Sequence, residues 1–389
     1  MNKRIAISFV CVAVVALISM PGASLAKHNG GKWVTSESWT IALYINGDNN
    51  LERFWDDVSL ASLIKLPAND MLTIVAYIDR LSVDGTEIVE ISGSECTTIA
   101  NLAEKDFGSG DTFKWFLEEV RNNYSSDKLA VVAWDHGYAW RYISDDETSD
   151  GTRITMPEFQ EAIEGAGVHI DVLAFDACNM ASVEVAYQVS LTGLVDIMVA
   201  SEESVPTSGY PYDLMLMETA LDTSRTPEEL AADMVSGYED LYANQTWAST
   251  VALSAVDLSS LGDSMDTIEA WVGAVHDCLP MYEENYKLAL KEACTVWSAH
   301  CHVDMADLGE TLLADPLITD SGLRAATLEM VSALDGAVIA NWDADPEDPS
   351  HGLSLWWGYG GDWKTYSEAY SEVAFAIDTG WWNLLEEYN

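Results

Sequence analysis

Two short strings carry groups suited to acyl transfer. Asp176-Ala177-Cys178 follows the apolar run Ile170 to Phe175, and Asp135-His136-Gly137 follows the apolar run Leu129 to Trp134. A thiol of ordinary pKa is only ~3% thiolate at pH 7 and needs help to act as a nucleophile. After Cys178, apolar residues recur at helical spacing (Met180, Val183, Ala186, Tyr187), which predicts a helix starting at the cysteine. Helix N-terminal amides and a nearby imidazole both favour thiolate. His136 can also protonate the leaving amine. The backbone N–H groups of Gly137 and Cys178 could hold a developing oxyanion, with glycine allowing close main-chain approach. Singly, each residue has a plainer reading: a buried structural cysteine, a turn histidine, and an Asp176 that caps the following helix.

The flanking elements decide whether these groups meet. Apolar runs read as strands at Trp39 to Asn46, Met71 to Ile78, Thr86 to Ser92, Leu129 to Trp134, Ile170 to Phe175 and Val195 to Ala200. Amphipathic helices fall between them at Thr112 to Tyr124 and Pro157 to Glu164, and Ser144 to Arg153 reads as a polar, Asp-rich loop. Strands apolar on both faces and alternating with helices predict an α/β fold, a mostly parallel sheet covered on both sides. Function in such sheets sits beyond the carboxyl ends of the strands. Three of those ends deliver His136-Gly137, Asp176-Ala177-Cys178 and Ser201-Glu202-Glu203. Beyond residue 225 the pattern is largely helical (Pro227 to Tyr242, Gly262 to Val275, Tyr282 to Val296, Ser321 to Ala340, Trp363 to Tyr388), with strands at Thr250 to Val256 and Gly352 to Trp357. The expected organisation is a signal peptide over 1–26, a catalytic core over 27–225 and a helix-rich region over 226–389 that completes the sheet.

The signal peptide rests on Lys3-Arg4, the apolar Ile5 to Ser19, and the small residues of Ser24-Leu25-Ala26, with cleavage after Ala26. A retained segment would instead tether the protein at the cell surface. The 389 residues hold 64 Asp and Glu against 18 Lys and Arg, a net charge of −46 spread along the chain. That excludes nucleic acid and anionic membranes as natural partners and leaves no membrane contact beyond the signal segment. It suits a salty medium or the attraction of basic substrates. Without Cys11 five cysteines remain. An odd count leaves one thiol free in an oxidising compartment. If that is Cys178, then Cys96, Cys278, Cys294 and Cys301 can pair in three ways.

At this point the chain resembles a known family. Trp134-Asp135-His136-Gly137 and Phe175-Asp176-Ala177-Cys178-Asn179-Met180-Ala181, followed by Glu184-Val185-Ala186-Tyr187, look like the signature of clostripain-like cysteine peptidases, relatives of caspases, legumains and gingipains. Weaker likenesses lie at Asp48-Asn49-Asn50-Leu51-Glu52, at Ser201-Glu202-Glu203 with Pro206, Gly209 and Tyr210, and at Gly352-Leu353-Ser354 with the aromatic tail. Nearly the whole chain after the signal segment is covered. Asn179 departs from the apolar residue that the family often has there.

The resemblance implies a caspase-like fold and a secreted endopeptidase with Cys178 as nucleophile, His136 as acid and base, and no obligatory third member. It also implies cleavage of peptides after Arg or Lys, with Asp176 in the S1 pocket and Ser201 and Glu202 as further substrate contacts. A carboxylate can pair a guanidinium at two points. Self-cleavage is expected after Arg153, with Arg141 as second choice. The chemistry requires no cofactor. Some relatives need calcium, and Asp145, Asp146, Glu147 and Asp150 offer oxygen ligands, although a merely solvated loop is the simpler reading. A non-catalytic binding or adhesion protein on the same scaffold is the main alternative, and the intact Cys-His pair argues against it. Cys294, His300, Cys301 and His302 are zinc-type ligands, but adjacent Cys301-His302 suits one tetrahedral site poorly.

Overall fold

The computed structural model describes residues 37–248, 250–293, 301–347 and 349–389, together with an antiparallel strand pair, Lys27–Asn29 and Lys32–Val34. The signal segment, Cys294 and His300 lie outside the described residues. Residues 37–389 form one compact unit.

Nine strands make its sheet: β1 (Trp39–Gly47), β2 (Leu72–Arg80), β3 (Val83–Ser92), β4 (Glu95–Asn101), β5 (Lys128–Trp134), β6 (Ile170–Asp176), β7 (Val195–Ala200), β8 (Ala252–Asp257) and β9 (Val338–Asp343). Their order across the sheet is β9-β8-β7-β6-β5-β1-β2-β3-β4. The five central strands β7, β6, β5, β1 and β2 are parallel, and both edges continue antiparallel.

Alternation along the central strands sends side chains to two separate cores. Ala42, Tyr44, Val131, Ala133, Leu173 and Phe175 face one core, with α1 (Gly110–Asn123), α2 (Met156–Ala166) and α3 (Val183–Ser190). Ile41, Leu43, Ile45, Val132, Trp134, Val172 and Ala174 face the other, under α4 (Pro227–Tyr242). Both faces are dry, which is why these strands read as continuous apolar runs.

Several expectations change. Glu95–Asn101 is a strand that the sequence hides, because an exposed edge strand needs no apolar pattern. The helix expected over Ser321 to Ala340 ends at Ala337, and Val338–Asp343 becomes edge strand β9. The two helices expected on either side of Cys278 merge into α5 (Met265–Glu292), kinked at Tyr282 just after Pro280. The expected Ser144 to Arg153 loop is a hairpin of Ile143–Asp146 with Thr152–Ile154. Ser354–Trp356 pairs with His302–Asp304 outside the main sheet. No disulfide joins any two of Cys96, Cys178, Cys278 and Cys301, so among the described residues the expected pairing is not found. Among the described residues, no helix is long and apolar enough to cross a membrane.

Candidate active site

The register of the parallel strands sets the site. Trp134 at the end of β5 pairs with Asp176 at the end of β6. His136 and Cys178 therefore each stand two residues past the same level of the sheet. Both line one cavity of about 350 Å³, together with Asp135, Asp176, Asn50 and the Ser204–Gly209 loop.

Cys178 does not sit on a helix N-terminus. α3 begins five residues later, at Val183, and its first turn is capped by Ser182, whose Oγ accepts from the Val185 amide at 3.3 Å. The intervening turn is held by the segment after β7. Asn179 N donates to Glu203 O at 3.0 Å, Asn179 Nδ2 to Glu202 O at 2.8 Å, and Ala181 N to Ser201 O at 2.9 Å. Asn179 has φ +61°, a conformation that Asn tolerates far better than an apolar residue. Its departure from the family pattern is thus a backbone feature.

Without helix amides at the sulfur, burial dominates and pushes the Cys178 thiol up from its ordinary value. Contacts with Ser204 and the Val205 carbonyl oppose the shift, and Asp176 and Asp135 add to it. Burial also lowers the His136 pKa. The resting pair is therefore neutral, thiol and imidazole.

His136 Nε2 lies 2.8 Å from Asn50 Oδ1, in the turn after β1. A carbonyl acceptor there places the proton on Nε2 and leaves Nδ1 as the basic nitrogen. Asn49 Nδ2 donates to Asp135 Oδ1 at 2.7 Å and to Asp145 O at 2.8 Å, tying the same turn to the histidine loop. In the sequence Asp48-Asn49-Asn50 stands out only as a weak family likeness, with no role of its own. The signal for their role was their place at a strand's carboxyl end.

Gly137 packs against Cys178 and Met180. A Cβ there would lie 2.8 Å from Cys178 O and 2.7 Å from Met180 Sδ. Gly137 forms an antiparallel bridge with Ile143, but the bridge bonds are made by its neighbours, Ser144 N to His136 O and Tyr138 N to Tyr142 O, both at 3.0 Å. Its own N–H is left outside the ladder.

Asp176 does not cap α3. Its Oδ2 accepts from Tyr210 N at 3.2 Å and from Tyr212 Oη at 2.9 Å. Burial raises its pKa to about 7 against the lowering effect of those two bonds. Gly209, at φ +55°, lets the loop cross close to this carboxyl. Asp135 is a second buried acid on the cavity, also raised by burial.

Ser201 and Glu202 do not line the cavity, which corrects the expected substrate contacts. Ser201 Oγ accepts from Glu203 N at 3.0 Å. Glu202 is buried against the C-terminal region, where Oε1 accepts from Gly352 N at 2.8 Å. Burial and then Asp304 raise its pKa well above the usual range. Their carbonyls hold the turn after Cys178, and the loop that follows them supplies the cavity wall.

Arg141 and Arg153 sit near the site in different settings. The Arg141 guanidinium lies 3.6 Å from the Tyr366 ring centroid and 4.3 Å from that of Tyr138. Arg153 is in the hairpin, paired with Asp145 at 2.7 Å and placed over Tyr142. The acids expected to bind calcium as one loop set diverge: Asp145 faces Arg153 and Asp150 is exposed, whereas Asp146 is wholly buried.

The clostripain family model matches residues 43–317, most of the chain. The chain belongs to the clostripain family. Clostripain from Hathewaya histolytica is 28% identical over a match that covers 48% of this chain and 43% of clostripain, so the chain aligns with less than half of that relative's length. Two solved structures share the fold at a TM-score of 0.69, each covering 89% of this chain and 99% of the other: an inactive zymogen C11 protease from Parabacteroides distasonis at 17% identity, and a secreted C11 cysteine protease from Bacteroides thetaiotaomicron in complex with an irreversible peptide inhibitor at 20%. The caspase-like architecture expected from the sequence is thus found. The clostripain-family segment contains His136, Cys178, Asp176 and the Asn49-Asn50 turn.

Proposed function

We propose that this clostripain-family chain is a secreted cysteine endopeptidase that cleaves after Arg or Lys. The observation that carries the reading is the register-matched delivery of Cys178 and His136 to one cavity whose wall includes the buried carboxyl of Asp176. Since the resting pair is neutral, His136 Nδ1 takes the thiol proton as sulfur attacks the scissile carbonyl carbon. The carbonyl oxygen gains charge facing the amides of Cys178 and Gly137, neither of which donates to another group among the described residues. The imidazolium then protonates the leaving amine. Water, deprotonated by the same nitrogen, hydrolyses the thioester and returns the thiol. A P1 guanidinium or ammonium pairs with ionised Asp176, and Asp135 adds negative potential at the cavity.

Self-processing belongs to the same proposal. Arg153 is the better candidate: its hairpin is short and half-exposed, whereas Arg141 is held between aromatic rings. The test compares fluorogenic peptides carrying Arg, Lys, Asn or Asp at P1. Thiol-dependent cleavage after Arg and Lys is expected. Cleavage of none of them would favour a binding protein on this scaffold.

A further inference from the structure

Glu202 is buried where the turn after Cys178 meets the C-terminal region. Its main chain and side chain hold different partners. The carbonyl accepts from Asn179 Nδ2 at 2.8 Å, in the turn that carries Cys178. The carboxyl accepts from Gly352 N at 2.8 Å through Oε1 and is in hydrogen-bond contact with the carboxyl of Asp304. Asp304 is wholly buried and caps α6 (Met305–Ala314). Two amides and an imidazole converge on it: Asp307 N at 2.7 Å, His351 N at 2.6 Å and His351 Nδ1 at 3.3 Å. Consecutive amides, those of His351 and Gly352, thus bind the two carboxyls.

Two carboxyls share a hydrogen bond only when one of them carries a proton. The surrounding donors decide which. They favour the charged form of the group they serve, and Asp304 has more of them than Glu202, so the proton belongs to Glu202. Glu202 Oε2 is buried with no donor among the described residues, as suits the oxygen that carries it. Asp343 on β9, itself accepting from Asp345 N and Ser350 N, adds negative potential that disfavours ionised Glu202. On the other side, Asp304, Glu310 and Asp307 all favour the charged form of His351. The Asp304 carboxyl raises the His351 pKa to about 9 against the opposing effect of burial. The His351 side chain is 31% exposed and that of Asp304 0%, so solvent reaches the group through the imidazole.

We propose that Glu202 acts as a neutral carboxylic acid, a positioning residue that joins the turn of Cys178 to the C-terminal region through Asp304 and His351. The same join is continued by Ser254 Oγ, which donates to Gly352 O at 2.8 Å, and by Ser354 N, which donates to Ala181 O at 3.0 Å. Ionising Glu202 would set a second buried negative charge against Asp304 and break their hydrogen bond. The activity readout below rests on the peptidase reading, whereas the stability readout does not.

The test uses the full chain. Glu202→Gln reproduces the neutral acid, offering an oxygen to Gly352 N and an N–H to Asp304; Glu202→Ala removes it. Tm is first compared from pH 5 to 10 in a Cys178→Ala background, which prevents self-cleavage. Folded Glu202 keeps a proton that the unfolded chain releases above about pH 4.3, so the parent loses stability as pH rises. Glu202→Gln should match the parent near pH 5 and gain on it by about 2 °C for each pH unit up to 7. His351 is raised when folded, so its contribution is lost as pH climbs toward about 9. The Tm deficit of His351→Ala should therefore be largest at pH 6 and shrink by pH 10. In protein that retains Cys178, Glu202→Ala should lower kcat about tenfold with little change in KM, and Glu202→Gln should restore it to within about twofold of wild type. A Tm for Glu202→Gln that falls further below the parent as pH rises would show an ionised Glu202 and overturn the proposal. Equal losses of kcat in the two Glu202 variants would overturn it as well. If wild type cleaves no peptide, the peptidase reading fails, and the Tm comparison still decides the state of Glu202.

Discussion

Replacing Asp176 by Asn separates charge recognition from catalysis. Asn keeps an acceptor for Tyr210 N and Tyr212 Oη, so the loop over the cavity retains its hydrogen bonds. It removes the charge available to a P1 guanidinium. Breaking a buried ion pair by removing one partner costs about 3–5 kcal/mol, so kcat/KM for a P1 Arg peptide should fall by roughly two to four orders of magnitude. A P1 Leu peptide, which never used the charge, should be cleaved within about threefold of wild type. The pH dependence gives a second readout. With a pKa of about 7, Asp176 is half ionised at pH 7 and roughly one-tenth ionised at pH 6. Wild-type kcat/KM toward P1 Arg should drop about fivefold over that unit. This limb should be missing for the P1 Leu peptide and for Asp176→Asn. The assay is kcat/KM for both peptides from pH 5 to 9. Equal losses on Arg and Leu substrates would refute the specificity role, and so would a wild-type Arg profile with no change between pH 6 and 7.

Further consequences can be measured on the same protein. Because burial raises Cys178 and lowers His136, iodoacetamide alkylation of Cys178 should be slow at pH 7 and still accelerating at pH 9; a plateau near pH 6 would show a preformed ion pair. Asn50→Ala should lower kcat by about tenfold with little change in KM, and Asn50→Asp should restore activity while moving the acid limb to higher pH, as a carboxylate beside imidazole does; an unaltered limb in Asn50→Asp would remove Asn50 from that role. In the Cys178→Ala protein, Asp176, at about 7, and Asp48, at about 6, are protonated when folded but ionised when unfolded above pH 4. The native state then holds more protons, so stability should decline from pH 4 to 7; in EDTA-treated protein a Tm rising over that range would contradict the assignment. On incubation, wild type should show two bands that Cys178→Ala lacks, and Arg153→Ala should slow their appearance; an identical pattern in wild type and Cys178→Ala would exclude self-processing.

Much of the site was legible because its chemistry is local. An apolar run followed at once by a histidine or cysteine marks the end of a buried strand, and parallel strands open their ends on one side of the sheet. Ser201 and Glu202 misled because they too follow a strand. Alternation and loop direction, which a strand end does not encode, turned Glu202 toward Gly352 and gave the cavity wall to Ser204–Gly209. Asp176 was open to two readings until the position of α3 was known, since a cap must adjoin its helix and this one begins at Val183.

The amino-acid order alone determined the central strands, the strand-end placement of Cys178 and His136, and the acidity of the chain, because burial periodicity and reactive groups are properties of short segments. Tertiary structure alone decided what surrounds them. It brought Asn50 to His136 across 86 positions, took the helix amides away from Cys178, and gathered Asp48, Asp79 and Asp146 from three segments into one buried cluster. Partners such as these are chosen by strand order and register, which arise from how the whole sheet packs.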